Sequence, residues 1–226
     1  LPRRVNSPGT IPAMASLTRA ERQARTRADL LEVAQQRFLA DGYAGTSLDA
    51  IADAAGYSKG AVYSNFSDKR TLCAVVLDNI HQQKLSEVGA IVSADESLDR
   101  RVELINEWLE NTVGDVGWTR LEMEFAAGVW RDEELAAMVV SLRNDAHAMV
   151  AAMVRTIAGE LGISDEQVVS APIGIDDMAA LVLSTGIGLG IQRAVDPTVS
   201  VGPAIDAVRL VVGLLSMLGG ATPGVR

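Results

Sequence analysis

Apolar residues recur every three to four positions along most of the chain, which is the spacing of one helical face. A first long helix is predicted over about 20–40, with Gly42 ending it. A short helix over 48–55 follows. Gly56 can then take the left-handed conformation that reverses the chain before a second short helix begins after Ser58. No segment alternates with a period of two for long enough to form a strand, so the predicted fold class is all-α.

Helical periodicity continues beyond the short pair. The predicted helices of this part run over 68–92, from Leu98, from Trp118, over 135–161, over 178–191 and over 204–218. Ser67 is the expected cap of the first of them. The last two segments are apolar on most sides and need a covering surface. Both are predicted to be too short for a membrane-spanning helix, and charges such as Asp177 and Arg209 lie in or beside them, so no membrane contact is expected.

The short helix pair carries the most informative chemistry. Thr46 or Ser47 can cap its first helix, and Ile51, Val62 and Phe66 are assigned to a small core. The second helix then turns small, polar and basic side chains outward: Lys59, Tyr63, Ser64 and Asn65. Two helices across a three- or four-residue turn, with such a surface on the second, form a helix-turn-helix that can enter the major groove of DNA.

Four arginines form a basic lead-in to the first helix: Arg19, Arg22, Arg25 and Arg27. Such an arm can reach into a minor groove or lie along phosphates, or it can be a solvated tail. Both interpretations stay open from the sequence.

Over about 25–77 the chain resembles the TetR family of bacterial transcriptional repressors. The matching positions are Phe38, Gly42-Tyr43, Thr46-Ser47, Ile51-Ala52, Ala55-Gly56, Ser58-Lys59-Gly60, Val62-Tyr63, Phe66 and Lys69. The resemblance implies a three-helix DNA-binding domain over 19–67. It also implies a helical ligand-binding and dimerisation domain over 68–226. Residues 1–18 are expected to be a disordered leader, since residues 1–15 contain three prolines and no apolar run.

The resemblance also implies which residues contact DNA. These are Thr46, Tyr57, Ser58, Lys59, Gly60, Tyr63, Ser64, Asn65 and Lys69. Lys59 is expected to pair with phosphate or a base edge, Gly60 to let the backbone approach closely, and Tyr63 to pack against the DNA. Lys69 is expected to bind phosphate and Thr46 to add a hydroxyl contact. Ser64 and Asn65 are smaller than the side chains common at these positions in the family.

Charge is divided along the chain in the way that DNA binding at one end requires. Residues 1–72 hold ten Lys and Arg against seven Asp and Glu, a formal charge of +3. Residues 73–226 hold ten against twenty-two, a charge of −12, and the two parts give the net −9. The acidic part should repel DNA and limit contact to the helix-turn-helix end.

The chain offers no pattern for catalysis, metal binding or a disulfide framework. Its one cysteine, Cys73, suits a reducing cytoplasm, and the two histidines, His81 and His147, lack zinc-ligand spacing. The glycines at 186, 188 and 190 lack the spacing of a nucleotide loop and fall within a helical pattern. Neither an enzyme nor a bound cofactor is expected.

The two C-terminal apolar helices are interpreted as a dimer interface, because the last two helices of TetR-like proteins pair with their copies as a four-helix bundle. Gly186, Gly188 and Gly190 would let helix backbones approach closely, at a cost of about 1 kcal/mol each in helix propensity. Packing of both helices within a monomer is the alternative.

The candidate ligand-binding residues are Trp108, Trp118, Glu122, Phe125, Met149 and Met153. Glu122 lies on the same helical stripe as Trp118 and Phe125, so its carboxylate needs a partner, for which Arg143 and Arg155 are the expected candidates. A polar or cationic ligand group is the alternative partner. Most of the apolar candidates are equally suited to plain core packing.

These expectations describe a cytoplasmic, homodimeric repressor that binds an operator and is released by a small hydrophobic inducer. A ligand-independent DNA-binding or architectural protein is the alternative. We call the predicted ligand-binding and dimerisation domain (68–226) the body. A cavity of several hundred cubic ångströms in the body would favour the inducible regulator, and a filled core would favour the alternative.

Overall fold

The computed structural model describes residues 18–128, 132–164, 166–167, 171 and 173–220. The helices of this part of the chain are α1 (Arg19–Gly45), α2 (Leu48–Ala55), α3 (Lys59–Asn65), α4 (Lys69–Val92), α5 (Leu98–Thr112), α6 (Val116–Ala126), α7 (Glu133–Glu160), α8 (Ile175–Val195) and α9 (Gly202–Gly220). Since these described residues contain helices and no strand, the predicted all-α fold class is confirmed.

Local signals set most of the helix ends. Ser47 caps α2 and Ser58 caps α3, each by accepting a backbone N–H three residues ahead. Gly56 is left-handed, as expected. The predicted Ser67 cap is wrong: Asp68 caps α4 by accepting from the amide of Thr71 at 2.8 Å.

The first helix begins at Arg19, directly after the stretch expected to be a leader. Thr18 caps α1, and its side chain and that of Glu21 form a reciprocal capping box. The rest of the predicted leader, residues 1–17, lies outside the described residues. The four arginines of the lead-in therefore lie on a helix and not on an extended arm.

Two apolar clusters hold the protein together. One joins the short helix pair to the rest of the chain, because Phe38, Ile51 and Phe66 share it with Leu121 and Phe125 of α6. The other is built from α4, α5, α7, α8 and α9 and contains Ile105, Val154 and Leu215. The part of the chain that contains α1, α2 and α3 therefore packs on α6 as well as on α4.

Helices α8 and α9 are longer than the sequence predicted, with 21 and 19 residues. Asp176 and Asp177 in the first turn of α8 and Arg193 in its last turn extend it, since these charges complement the helix dipole. By length and composition alone both helices could cross a membrane, so the prediction that they are too short for one is wrong. Only 17% and 28% of their most apolar stretches are buried within the protomer, which leaves large apolar faces uncovered.

Candidate functional site

Helices α2 and α3 form the expected helix-turn-helix. After Gly56, the amide of Tyr57 donates to the carbonyl of Ala52 at 3.0 Å and closes the end of α2. Ile51, Val62 and Phe66 are buried beneath the pair, which confirms their assignment to the small core. The two helices thus share a buried core and present one face of α3 to solvent.

The solvent face of α3 is formed by Lys59, Gly60 and Tyr63. The side chain of Lys59 is 62% exposed, and Tyr63 is 56% exposed. A Cβ atom placed on Gly60 would approach only Ser58 Oγ, at 3.8 Å, so nothing within the protein requires glycine there. An unobstructed glycine beside a lysine and an exposed tyrosine suits close approach of an external backbone.

An acidic neighbour holds Lys59 in the free protein. Its ammonium donates to the carboxylate of Asp49 on α2, and this hydrogen bond is the main cause that raises the pKa of Lys59. Lys59 is therefore charged at neutral pH, but it must leave Asp49 to reach a phosphate.

The polar groups of four other predicted DNA-contacting residues bond to residues of α1 or α3. Ser58 Oγ accepts the Ala61 amide at 3.2 Å, and Tyr57 donates its hydroxyl to Asp29 at 2.7 Å. Ser64 Oγ and Asn65 Nδ2 both donate to the Ala61 carbonyl, at 2.9 Å and 2.8 Å. Among the four, Ser58 and Ser64 stay exposed.

Thr46 and Lys69 both donate to backbone carbonyls at the end of α1 or just after it. Thr46 is only 3% exposed and donates its hydroxyl to the Gly42 carbonyl at 2.8 Å, so this hydroxyl is occupied in the free protein and its contact to DNA stays a prediction. The ammonium of Lys69 donates to the carbonyls of Tyr43 and Thr46, at 3.0 Å each, and lies 4.3 Å from the centre of the Tyr43 ring. Lys69 therefore ties the start of α4 to the end of α1 and keeps one N–H for phosphate.

Sequence reasoning missed the role of Arg27. This arginine of the predicted basic lead-in donates to the Asn65 carbonyl at 2.7 Å, and its guanidinium lies 4.3 Å from the centre of the Phe66 ring. It thereby holds the end of α3 against α1. Spacing along the chain gives no signal for this contact, because the partners are 38 residues apart.

The six candidate ligand residues do not form one site. Trp108 and Met153 pack against the cluster of α4, α5, α7, α8 and α9, whereas Trp118 and Phe125 belong to the cluster shared with the helix-turn-helix. Trp108 Nε1 donates to Glu87 at 2.9 Å, and Phe125 is buried edge-on to the Tyr43 ring at 5.6 Å. Met149 is half-buried on α7.

Glu122 is partnered, but not by an arginine. Its carboxylate bonds with His81 Nε2 on α4. The expected partners lie away from it: Arg143 is exposed on α7, and Arg155 pairs with Asp176. Around this pair, His81 Nδ1 and Trp118 Nε1 are buried without a hydrogen-bond partner among the described residues. The predicted partnering of Glu122 is thus confirmed, and the predicted identity of the partner is wrong.

Replacing Glu122 by alanine is expected to lower stability by about 1–3 kcal/mol, because it leaves His81 half-buried without its charged acceptor. Thermal unfolding followed by circular dichroism measures this. The matched control is Glu103→Ala, which removes a 65% exposed carboxylate from a surface pair with Arg100. Equal melting temperatures for the two variants would show that the His81 pair contributes nothing.

The body holds little preformed space beside α5, α7 and α9. The cavity lined by Val92, Leu98, Arg101, Val102, Ile105, Ile157, Val208 and Val212 measures about 10 Å³, room for one water. A larger groove of about 410 Å³ lies between α1 and α4, lined by residues such as Leu31, Gln35 and Asn79. That groove contains none of the predicted ligand residues.

The described residues include one free cysteine, which is buried, and potential metal ligands. Burial raises the pKa of the Cys73 thiol to about 12, so it stays protonated and inert at neutral pH. Within the described ranges, no group of three or more His, Cys, Asp or Glu side chains is arranged to hold a metal ion.

The part of the chain that contains the helix-turn-helix is similar in sequence to known regulators. Residues 30–76 match the model of the bacterial regulatory proteins, tetR family. The HTH-type transcriptional regulator TtgR of Pseudomonas putida is 37% identical over 83 residues, which are 37% of this chain and 39% of that protein. The HTH-type transcriptional regulator AcrR of Shigella flexneri is 46% identical over 59 residues, which are 26% of this chain and 27% of the length of AcrR. The match thus spans well under half of each curated relative.

Solved structures resemble the chain over most of its length. A protein from Mesorhizobium loti assigned to the TetR family has a TM-score of 0.62 at 18% identity, covering 87% of this chain and 98% of its own. Reduced NemR of Escherichia coli has a TM-score of 0.62 at 17% identity, covering 83% and 95%. At such identities the likeness concerns the fold alone. Residues 30–76 are thus similar in sequence to the tetR family of bacterial regulatory proteins, and the chain shares its fold over most of its length with solved structures such as these.

Proposed function

We propose that the protein is a DNA-binding transcriptional regulator that acts in the cytoplasm without catalysis. The observation that carries this proposal is the solvent face of α3, where Lys59, Gly60 and Tyr63 are free of the protein core. A short helix with a basic residue, an unobstructed glycine and an exposed aromatic ring fits the major groove. The positive charge of residues 1–72 supports contact at this end, and we assign DNA binding to residues 19–67.

The regulator is proposed to act as a homodimer through α8 and α9. Exposed apolar side chains follow a helical stripe on each: Leu181, Ile187, Ile191 and Val195 on α8, and Leu210 and Met217 on α9. Gly186 and Gly188 have open space around them, as a close helix contact requires. The third glycine differs, because a Cβ on Gly190 would lie 3.9 Å from the Gly114 amide of the same protomer. A second copy would cover these faces and place two α3 helices on two half-sites.

We also propose that a small hydrophobic inducer releases the regulator from DNA. The buried, unpartnered Trp118 Nε1 and His81 Nδ1 beside Glu122 support it, because such atoms gain a partner when a polar ligand group reaches them. The 10 Å³ cavity beside α5, α7 and α9 means that this part of the body must open for a ligand there. The same small cavity favours the alternative, a ligand-independent DNA-binding protein.

DNA binding is tested by selection from a random library of duplexes, followed by affinity measurements across a salt series. A single enriched sequence with two half-sites is expected, and its affinity should fall steeply as salt rises. Failure to enrich any duplex would refute the proposed function.

The inducer is tested separately, by screening small apolar compounds for a rise in melting temperature, since a ligand stabilises the state it binds. Hits that release the selected duplex support the inducible regulator. A screen in which stabilising compounds leave DNA affinity unchanged would favour the ligand-independent alternative.

A further inference from the structure

Helix α6 bonds to the backbone at the end of α1 through two side chains. The Glu124 carboxylate accepts the Ala44 amide at 2.9 Å. Four residues earlier, the guanidinium of Arg120 donates to the carbonyls of Leu39 and Ala40, at 3.1 Å and 2.7 Å. We refer to Arg120 and Glu124 as the α6 clasp.

The clasp binds backbone groups near the end of α1. The last carbonyls of a helix lack intrahelical donors, and a cation is favoured beside them, which suits Arg120. Gly42 breaks the helix there with φ 78° and ψ 174°, a conformation that only glycine adopts readily. The chain thus turns in a way that frees the Ala44 amide for Glu124.

Both helices are shaped for this close approach. A Cβ atom on Gly42 would lie 2.8 Å from each carboxylate oxygen of Glu124. On the opposite side, a Cβ on Gly117 of α6 would lie 2.8 Å from the Leu39 carbonyl. The edge contact between the Tyr43 and Phe125 rings continues the same interface into the core.

The turn held by the clasp also carries the helix-turn-helix. Thr46 donates its hydroxyl to the Gly42 carbonyl, and the next residue, Ser47, caps α2. Lys69 holds the carbonyls of Tyr43 and Thr46 from the α4 side. The turn from which α2 starts is therefore bonded directly to α6 as well as to α4.

We propose that Arg120 and Glu124 are positioning residues for DNA binding. They fix the orientation of α3 relative to the body, so that DNA affinity depends on the position of α6. This role rests on the proposed DNA binding. It makes α6 a second connection between body and helix-turn-helix, beside α4.

The test compares Glu124→Ala and Glu124→Gln with the parent in binding to the duplex that the parent selects. Glutamine keeps an acceptor oxygen for the Ala44 amide, whereas alanine removes it. We expect Glu124→Ala to lower DNA affinity by roughly 5-fold or more, in the usual range of coupling between distant sites, and Glu124→Gln to restore it. Hydrogen exchange over residues 38–48 should accelerate in the alanine variant only.

The matched control is Glu110→Ala, which breaks the Arg193 ion pair between α5 and α8 without touching α1. It should bind DNA like the parent at a temperature where every variant is folded. Parent-like DNA affinity of Glu124→Ala, despite faster exchange over 38–48, would overturn the positioning role. So would an equal loss of affinity in Glu110→Ala. A parent that selects no duplex overturns the proposed function instead, which separates the two failures.

Discussion

An arginine in place of Ile187 is expected to leave the protein monomeric at micromolar concentration. Ile187 is 53% exposed in the protomer, although it is a large apolar residue in the middle of α8. In the proposed four-helix interface its side chain meets the second copy, so the variant would bury an unpaired charge from each subunit. Such burial costs several kcal/mol, which weakens self-association by at least about 100-fold. Sedimentation velocity measures the change directly.

The same substitution at Val140 is the matched control. Val140 is 50% exposed and apolar, but it lies on α7, outside the stripes of α8 and α9. Val140→Arg should therefore sediment like the parent. A stable monomer for the unmodified protein, or an unchanged dimer for Ile187→Arg, would contradict the proposed interface.

Loss of the dimer should also reduce DNA affinity. One α3 helix reads one half-site, and two linked copies bind both sites with a large gain in effective concentration. The Ile187→Arg variant is thus expected to bind the selected duplex far more weakly, while its melting curve still reports a folded protomer.

Sequence patterns predicted those features that depend on neighbouring residues. The caps at Ser47 and Ser58 and the left-handed Gly56 follow from short-range hydrogen bonding and backbone sterics. The cap of α4 shows the limit of this reasoning. Ser67 and Asp68 are both good caps, and only the fold decides that Asp68 reaches the Thr71 amide while Ser67 bonds to the Thr71 hydroxyl.

Contacts between helices that are distant along the chain could not be predicted from the sequence. Helical phase placed Glu122 among apolar residues, but the facing helix that supplies His81 is set by packing, 41 residues away. Lys69 and Arg120 illustrate the same limit, since their acceptors are backbone carbonyls at the end of α1, which have no sequence signature. The size of the body cavity likewise depends on how well side chains interdigitate, and composition does not report it.

Alanine in place of Lys59 is expected to weaken binding to the selected duplex and to flatten its salt dependence by about one unit of slope, as loss of one phosphate contact does. Tyr63→Ala should also lower affinity, through lost packing, but should leave the salt slope nearly unchanged. Lys69→Ala is expected to lower both affinity and melting temperature, because Lys69 also holds the carbonyls of Tyr43 and Thr46.

The ion pair between Lys59 and Asp49 allows the role of Lys59 to be tested with a second substitution. In the free protein the Asp49 carboxylate occupies the ammonium that a phosphate would need. Asp49→Asn should therefore raise affinity where Lys59→Ala lowers it, and it should have little effect once Lys59 is absent. A double-mutant cycle measured by fluorescence anisotropy across a salt series tests this directly. If Asp49→Asn binds like the parent, or raises affinity equally without Lys59, then Lys59 does not act on DNA from this face of α3.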